Sequence, residues 1–349
     1  MTGAKTFEMT CPLPLNDHPR IKLAHGGGGR LMQQLIENLF VAAFDNPLLR
    51  GGHDGAVLDM GQGRTAMTTD SYVVRPLFFP GGDIGALAVN GTVNDLAMCG
   101  AKPLFLTASF ILEEGLETET LWRVVRSMRA AADAVGVSIV TGDTKVVERG
   151  HGDGIYINTT GVGRIEHEIL VVPKRIVTGD VILVSGDIGR HGMAVMGERE
   201  GLAFTTPIES DCAPLWDTVN AMLSANIEIH CMRDATRGGL CAVLNELAKA
   251  SGLQFDVVER NIPVSESVRG ACEVLGLDAL HVACEGRFVA IVPKKDQVAA
   301  LDILRSQNKT ASVIGQVTDG ESSLVTIQTP IGGQRILDLP AGELLPRIC

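Results

Sequence analysis

The sequence is poor in aromatic residues and in positive charge. Aromatics make up 4% of its 349 residues and hydrophobic residues 45%, so its cores must be built from aliphatic side chains. Lys and Arg number 30 against 41 Asp and Glu, which gives a net charge of −11 at pH 7. Because nucleic-acid binding needs clustered Lys and Arg, this balance excludes a broad polynucleotide-binding surface. It does not exclude binding of a single nucleotide.

Membrane and export signals are also missing. No apolar run reaches the roughly eighteen residues that a membrane span needs, and no signal peptide pattern opens the chain. The cysteines form no CxxC pair and have no zinc-like spacing, so neither a zinc site nor a disulfide framework is expected. The sequence therefore predicts a cytoplasmic protein with reduced thiols and no membrane contact.

One of the cysteines stands last, in Pro346-Arg347-Ile348-Cys349. The two prolines and one glycine of residues 337–346 disfavour a closing helix and favour an extended, mobile arm. A thiol at the tip of such an arm can carry a covalently bound group between sites. From this segment alone, a cysteine that falls last by chance is the alternative. Residues 336–349 are called the tail below.

Apolar spacing predicts strands and helices that alternate along the chain. Such alternation indicates sheets covered by helices, an α/β (α+β) class, and the length suffices for two domains. We expect an N-terminal extension at 1–20, a first domain at 21–170 and a second at 171–335, before the tail. The predicted strands are 65–69, 104–112, 137–141, 155–163, 181–185, 255–258, 288–292 and 324–328, and the predicted helices are 31–40, 117–135, 190–200, 240–250, 266–275 and 297–305.

Two glycine-bearing loops precede predicted helices. One follows His25, and the other contains Arg237. Unpaired N–H groups and the dipole at a helix N-terminus favour phosphate, and an arginine can contact it. No Gly-Lys-Ser/Thr follows the first loop, which excludes a Walker loop and leaves a loop without ligand as the alternative. The nucleotide-binding candidates are Gly27, Gly28, Gly29, Arg237 and Gly238.

Six aspartates stand beside glycine or small residues at the ends of apolar runs. Each alone could be a turn former or a helix cap. Magnesium takes oxygen ligands and is usually shared between a few carboxylates and substrate phosphates, so the set suits a metal-nucleotide site. The six are Asp54, Asp70, Asp83, Asp95, Asp143 and Asp234.

Two further charged residues are flanked by apolar stretches, where proton-transfer groups are often found. Lys145 follows Asp143 closely, so a salt bridge between them is the alternative. Glu285 lies between Cys284 and Gly286, where a solvated turn is the alternative.

These segments together resemble a family of ATP-dependent enzymes that includes aminoimidazole ribonucleotide (AIR) synthetase, selenophosphate synthetase and thiamine monophosphate kinase. Within that family, the terminal tetrapeptide indicates the carbamoyl dehydratases of hydrogenase maturation. The segments that carry the resemblance are Ala24 to Gly26 with the glycines after them, Thr68 to Val74, Gly82 to Gly85, Val89 to Met98, Thr141 to Val147, Arg233 to Gly239 and Pro346 to Cys349.

The resemblance implies an AIR-synthetase-like (PurM-like) fold. Its N-terminal domain pairs with a twin in a homodimer and builds the ATP site, and its C-terminal α/β domain closes over that site. ATP and Mg²⁺ are the implied cofactors. The implied metal ligands are Asp54, Asp70, Asp95 and Asp234, the residues near the nucleotide Asp83, Asn94 and Asp143, and the residues nearest the chemistry Cys349, Lys145, Glu285 and His151. The glycines around His151 are equally typical of a loose turn.

The implied activity is the ATP-dependent dehydration of a carbamoyl group on Cys349 to a protein-bound thiocyanate, the source of cyanide for an iron centre. A carbamoyltransferase would supply the group and a maturation scaffold complex would accept the cyanide. A selenophosphate synthetase is disfavoured, because it needs a reactive cysteine or selenocysteine and a lysine in the loop at residues 25–30. A nucleotide-gated thiol carrier that dehydrates nothing stays open as the non-enzymatic alternative.

Overall fold

The computed structural model describes residues 29–35, 37, 56–59, 63–202, 207–320, 323–339, 342, 345 and 347–349. Predictions that concern residues 1–20, Gly27, Gly28 and Asp54 lie outside these residues. None of the helices described is long and apolar enough to cross a membrane.

The first half of the chain forms a five-stranded sheet with the order β1-β2-β7-β5-β6. Strands β5 and β6 are parallel, with α3 connecting them, and the other pairs are antiparallel. The elements are α1 (Arg30–Leu35), β1 (Ala56–Asp59), β2 (Arg64–Tyr72), β3 (Phe78–Phe79), β4 (Gly82–Asp83), α2 (Ile84–Met98), β5 (Lys102–Glu113), α3 (Thr118–Val135), β6 (Ser138–Val147) and β7 (Ile155–Ile165).

Helix α2 is the buried centre of this half. It packs against β2, β5, β7 and α3. All of its 15 residues except Ala86 and Asp95 are buried, so it has no polar face. Helix α2 was not predicted from the sequence, because helical periodicity is visible only when one face is exposed. Its N-terminus is capped by Asp83, whose Oδ1 accepts from the N–H groups of Gly85 at 2.7 Å and Ala86 at 3.0 Å.

The second half forms a seven-stranded sheet with the order β14-β13-β10-β12-β8-β11-β9. Helices α4 to α8 lie between the strands of this sheet along the chain. The elements are β8 (Asp180–Val184), α4 (Arg190–Arg199), α5 (Trp216–Ser224), β9 (Cys231–Asp234), α6 (Gly239–Ser251), β10 (Gln254–Val258), α7 (Glu266–Leu275), β11 (Phe288–Pro293), α8 (Gln297–Gln307), β12 (Ser312–Thr318), β13 (Val325–Gln328) and β14 (Gln334–Ile336).

Strand β8 shows how the second core is arranged. All five of its residues are buried. Ile182 and Val184 belong to one apolar cluster, and Val181 and Leu183 to another, because alternate side chains point to opposite faces of a strand. The sheet is therefore covered on both faces at this strand, which accounts for the uninterrupted apolar run in the sequence.

Every predicted strand and helix overlaps an observed one. The alternating α/β organisation is thus confirmed. The main omissions besides α2 were α5, β9 and β12. Strand β9 has four residues, of which Arg233 and Asp234 are charged, so it lacks the apolar run by which strands were identified.

Candidate active site

The end of the tail lies in a groove beside β2. The N–H of Val73 donates to the main-chain carboxylate oxygen of Cys349, and the N–H of Arg75 to the carbonyl of Arg347, both at 3.2 Å. The tail residue numbers fall as those of the partner segment rise, so the pairing is antiparallel. Between the two contacts, Ile348 is 3% exposed and belongs to the same apolar cluster as Tyr72. The last three residues are therefore docked against residues 73–75 through two antiparallel main-chain hydrogen bonds.

Side chains from both halves of the molecule hold this end of the tail. The guanidinium of Arg347 forms an ion pair with Asp153, which also pairs with Arg75. From α4, Arg199 donates to the carbonyl of Arg347 at 2.7 Å. His191, also on α4, donates from Nε2 to the carbonyl of Ile348 at 2.9 Å.

The Cys349 thiol faces a group of charged side chains. Burial raises its pKa to about 12, the charge of Arg237 opposes that rise, and the carboxylates of Glu285, Asp70 and Asp234 add to it. At neutral pH the docked sulfur is therefore a neutral thiol, which is neither a nucleophile nor a metal ligand. We call Cys349, Arg237, Glu285, Asp70 and Asp234 the interior cluster.

Arg237 brings positive charge into the interior cluster. It lies on the turn between β9 and α6, and one guanidinium nitrogen is 3.9 Å from a carboxylate oxygen of Asp70. The next residues, Gly238 and Gly239, have φ of 78° and 61°. A Cβ on Gly239 would come within 2.6 Å of the Val282 carbonyl, so only glycine allows this close turn at the start of α6.

Glu285 is the most strongly perturbed carboxyl group of the site. It is 3% exposed, and burial together with Asp234, Asp70 and Asp211 raises its pKa well above the usual value. Its Oε1 is buried and has no hydrogen-bond partner among the described residues. The solvated turn, left open from the sequence, is therefore wrong. An unpaired buried carboxyl oxygen is costly, and a bound substrate can supply the missing partner.

Main-chain contacts fix the position of Glu285. Its N–H donates to Asp211 Oδ1 at 3.2 Å, and its carbonyl accepts from Asn94 Nδ2 at 3.2 Å. Asn94 also donates to the carbonyl of Ala213 at 3.0 Å and accepts from the N–H of Leu215 at 2.8 Å. Asn94, predicted to lie near the nucleotide, thus joins α2 to two loops of the second half.

The predicted metal ligands Asp70, Asp95 and Asp234 act on two buried residues. Asp70 and Asp95 act on Tyr72, and Asp234 and Asp70 act on Glu285. The carboxylates of Asp70 and Asp95 both raise the pKa of Tyr72, after the larger effect of burial. Thr68 donates to Asp95 Oδ2 at 2.7 Å. Asp234 is 6% exposed at the end of β9 and raises the pKa of Glu285.

These oxygen donors fit magnesium. Magnesium uses one or two carboxylates and completes its shell with water and phosphate oxygens. Within the part of the chain that the structure describes, no group of three or more His, Cys, Asp or Glu side chains is close enough to hold a metal by itself. A set of carboxylates that needs phosphate oxygens to complete the magnesium shell agrees with this preference of magnesium. It also agrees with the lack of a three-residue metal group among the described residues.

Of the remaining predicted residues, Gly29 lies directly before α1, and the other three lie on or just after strand β6, whose residues are almost all exposed. Lys145 Nζ is 2.6 Å from Asp143 Oδ2, and their side chains are 68% and 63% exposed. Hydrogen bonds from Lys145 and from the N–H of Thr144 lower the pKa of Asp143. His151 is exposed in the following turn, where its N–H donates to the carbonyl of Glu148 at 3.1 Å. We call Asp143, Lys145 and His151 the edge group.

Sequence reasoning missed the residues that hold the tail. His191 and Arg199 were included in a helical pattern, with no sign that their partners lie about 150 residues later. The separation arises only because the tail returns to β2. Arg347 and Asp153 have opposite charges, but nothing in their spacing predicts that they meet.

Comparison with sequence families defines the class of protein. Residues 52–165 match the family described as AIR synthase related protein, N-terminal domain, and residues 177–328 match AIR synthase related protein, C-terminal domain. The fold is therefore that of an AIR-synthase-related protein with both family domains, and the predicted fold class is confirmed.

Individual relatives narrow the assignment. Carbamoyl dehydratase HypE of Azotobacter vinelandii is 51% identical over 331 residues, which is 94% of this chain and 97% of that protein. A chain in the crystal structure of a HypE–HypF complex is 50% identical, with a TM-score of 0.83 over 88% of this chain and 99% of that one. The crystal structure of hydrogenase maturation protein HypE in complex with ATP is 46% identical, with a TM-score of 0.80 over 95% of this chain and 100% of that one. The chain belongs to the HypE family of carbamoyl dehydratases, which confirms the resemblance found in the sequence.

Proposed function

We propose that this chain is an ATP-dependent carbamoyl dehydratase of hydrogenase maturation, which acts on a carbamoyl group carried by its own Cys349. The observation that carries the proposal is the docking of the end of the tail, which brings the Cys349 thiol to where the charges of Arg237 and Glu285 act on its pKa. A group attached to this sulfur would be in the interior cluster without further movement. The relatives named carbamoyl dehydratase, and the HypE structure with ATP, support the reaction type and the nucleotide.

The reaction converts a thiocarbamate on sulfur into a thiocyanate. The terminal phosphoryl group of ATP is transferred to the carbamoyl oxygen, which makes that oxygen part of a good leaving group. The two protons on nitrogen are then removed, the C–O bond breaks and phosphate leaves, so that a C≡N bond remains on sulfur. One of the two nitrogen protons ends on the leaving phosphate, so the products are ADP, hydrogen phosphate, one proton and the thiocyanate on Cys349.

Arg237 and Glu285 have the properties that these steps need. A positive charge that is already in place stabilises the negative charge that develops on oxygen during transfer. A base works best when its pKa is close to the working pH, and burial moves the pKa of Glu285 upward in that direction. Its unpaired Oε1 can accept the nitrogen protons. Lys145 and His151 stay the alternative relays that the resemblance implies.

We further propose that the carboxylates of Asp70, Asp95 and Asp234, with Asp54, hold Mg²⁺. When bound, the ion would neutralise phosphate charge and orient the transferred group. Loop glycines, residues at helix starts, Asn94 within α2 and Asp143 within β6 would contact the nucleotide. This nucleotide set is Gly27, Gly28, Gly29, Asp83, Asn94, Asp143, Arg237 and Gly238.

A homodimer through the β6 edge is also proposed. Residues Ser138 to Val146 are all exposed, and Val140 and Val146 are 57% and 66% exposed. A long, exposed edge strand with apolar side chains normally pairs with another strand. A twin chain that covers this edge would also cover the edge group.

The docked tail must leave its groove to be loaded. Its sulfur is a neutral thiol while docked, and a thiolate is needed to attack a carbamoyl donor. We propose HypF as the donor, supported by the HypE–HypF complex, and a HypC–HypD complex as the acceptor of cyanide. The proposed location is the cytoplasm.

A mass measurement of the peptide that contains Cys349 tests the activity. The protein is incubated with carbamoyl donor and ATP, and the adduct is followed together with phosphate release. Loss of one water equivalent from the carbamoyl adduct, with one phosphate per turnover, is the expected result. A carbamoyl adduct that persists while no phosphate is released would instead support the thiol carrier.

A further inference from the structure

We infer that His191 and Arg199 are positioning residues that fix how far the tail inserts, whatever group is attached to the Cys349 sulfur. Arg199 donates to the carbonyl of Arg347 at 2.7 Å and His191 to the carbonyl of Ile348 at 2.9 Å. His191 is the second residue of α4, and Arg199 is its last. One helix therefore donates hydrogen bonds to two consecutive carbonyls of the tail.

These contacts do not depend on the load. Each joins a side chain of α4 to the main chain of the tail, and the groove wall adds main-chain pairing through Val73 and Arg75. A carbamoyl or a thiocyanate group on sulfur changes none of these donors and acceptors. The same docked geometry can hold the tail before and after the reaction.

The hydrogen-bond network determines the tautomer of His191. A carbonyl only accepts, so Nε2 must carry the proton that it donates to Ile348. In the neutral ring Nδ1 is then an acceptor, and the hydroxyl of Ser210 donates to it at 2.8 Å. Burial lowers the pKa of His191, which favours this neutral form. Ser210 Oγ also accepts from the N–H of Cys212 at 3.0 Å, and the N–H of Ser210 donates to the carbonyl of Pro80 at 2.8 Å.

The tail is thereby clamped between the two halves of the molecule. Val73, Arg75 and Asp153 belong to the first half and hold one side. His191 and Arg199 belong to the second half and hold the other. A tail that slips by one residue would move the sulfur by about 3.3 Å. Displacements of about 1 Å already cost rate in aligned reactions, so the register matters for dehydration.

The experiment compares substitutions on one helix. Arg199→Ala and His191→Asn remove a contact to the tail, and Arg199→Lys retains one cationic donor. Arg190→Ala is the matched control, because Arg190 also stands on α4 but donates to the carbonyl of Glu209 at 3.1 Å. The full-length protein is treated with iodoacetamide, and alkylation of Cys349 is timed by the mass of its peptide, with the fully buried Cys284 as internal reference.

We expect Arg199→Ala to speed alkylation of Cys349 about tenfold, the factor typical of one charge-assisted hydrogen bond. Arg199→Lys should fall between Arg199→Ala and the parent, whereas Arg190→Ala and the reactivity of Cys284 should match the parent. Alkylation of Cys349 at the parent rate in Arg199→Ala overturns the inference. If His191→Asn does not fold, Arg199→Ala and Arg199→Lys decide alone.

A second measurement tests whether the contacts of α4 with the tail affect the reaction, and it rests on the proposed function. In a single turnover of carbamoyl-loaded protein, Arg199→Ala should slow water loss while the KM for ATP stays unchanged. Slower turnover with an unchanged alkylation rate would contradict the clamp. A parent protein that shows protected Cys349 but no water loss would refute the proposed function and leave the clamp standing.

Discussion

The predicted catalytic residues divide between two contrasting regions, the interior cluster and the edge group. In the interior, burial dominates: it is the largest cause of the raised pKa values of Cys349, Glu285 and Asp70. On the edge, water screens the charges, and the pairing of Lys145 with Asp143 is a surface ion pair. In the single chain, burial therefore raises the pKa values of the groups around the sulfur. The edge group becomes buried only when a partner covers it.

Replacing Cys349 should give the largest effect. Cys349→Ala removes the carrier of the substrate, so no thiocyanate can form. The substitution keeps the main-chain contact of residue 349 with Val73, the ion pair of Arg347 and the burial of Ile348, so the tail should stay docked. Nucleotide binding, measured by calorimetry, should stay at the parent level. Thiocyanate on a Cys349→Ala protein would break the proposed assignment of the interior cluster.

Glu285→Gln should have the next largest effect. Loss of a general base typically lowers the rate by about 10²- to 10⁴-fold. Gln fills nearly the same space and cannot ionise, so the melting temperature should stay the same or rise. A single-turnover pH profile is the measurement. The parent rate should rise with pH through a pKa above the usual 4.5 of glutamate, because the base must lose its proton, and Glu285→Gln should lack that rise.

The matched edge substitution is Lys145→Met. It removes an exposed ion pair, so the melting temperature of the chain should not change measurably. If Lys145 is a proton relay, its loss lowers turnover only in the state in which a partner or nucleotide covers the edge. A drop in the melting temperature like that of a core substitution would contradict the distinction between the two regions.

Docking of the tail should weaken at high pH. The docked thiol has a pKa of about 12 against an ordinary 9.0, so the docked state retains its proton more strongly. Docking is then fully favourable below about pH 9 and weakens about tenfold per pH unit above it, up to about pH 12. The protection of Cys349 from alkylation, relative to a free peptide of the tail, measures this. Protection that is constant from pH 8 to 11 would contradict burial of the thiol.

The smallest expected effect concerns the edge strand alone. Val146→Lys places a charge on a side chain that is 66% exposed, so folding of the single chain should be unaffected. A homodimer through β6 should dissociate, because an inserted charge on an edge strand opposes pairing. Light scattering after size exclusion gives the mass. An unchanged dimer would move the interface away from β6.

Much of the fold was accessible from sequence because amphipathic helices show a helical period and buried strands such as β8 show an uninterrupted apolar run. Helix α3 is an example, with an apolar stripe and a glycine at its end, Gly136, in the left-handed conformation. Helix α2 was not accessible, since burial on all sides removes the polar face that reveals a helix.

The site was accessible where residue type alone suggested chemistry. The terminal thiol, Glu285 and the aspartates were proposed in this way, and so was the pairing of Lys145 with Asp143. His191 was not found, because its role depends on a carbonyl 157 positions away, and a main-chain acceptor leaves no mark in a sequence. Contacts between side chain and main chain across the fold are the part that only the structure supplies.

Infrared spectroscopy of the protein that carries a ¹³C-labelled carbamoyl group on Cys349 directly tests whether this group is dehydrated to a thiocyanate. After addition of ATP and Mg²⁺, we expect a nitrile band shifted by the label, which grows at the rate of ADP formation and grows about 10²- to 10⁴-fold more slowly in Glu285→Gln. ATP turnover by the loaded parent protein without any nitrile band would contradict it.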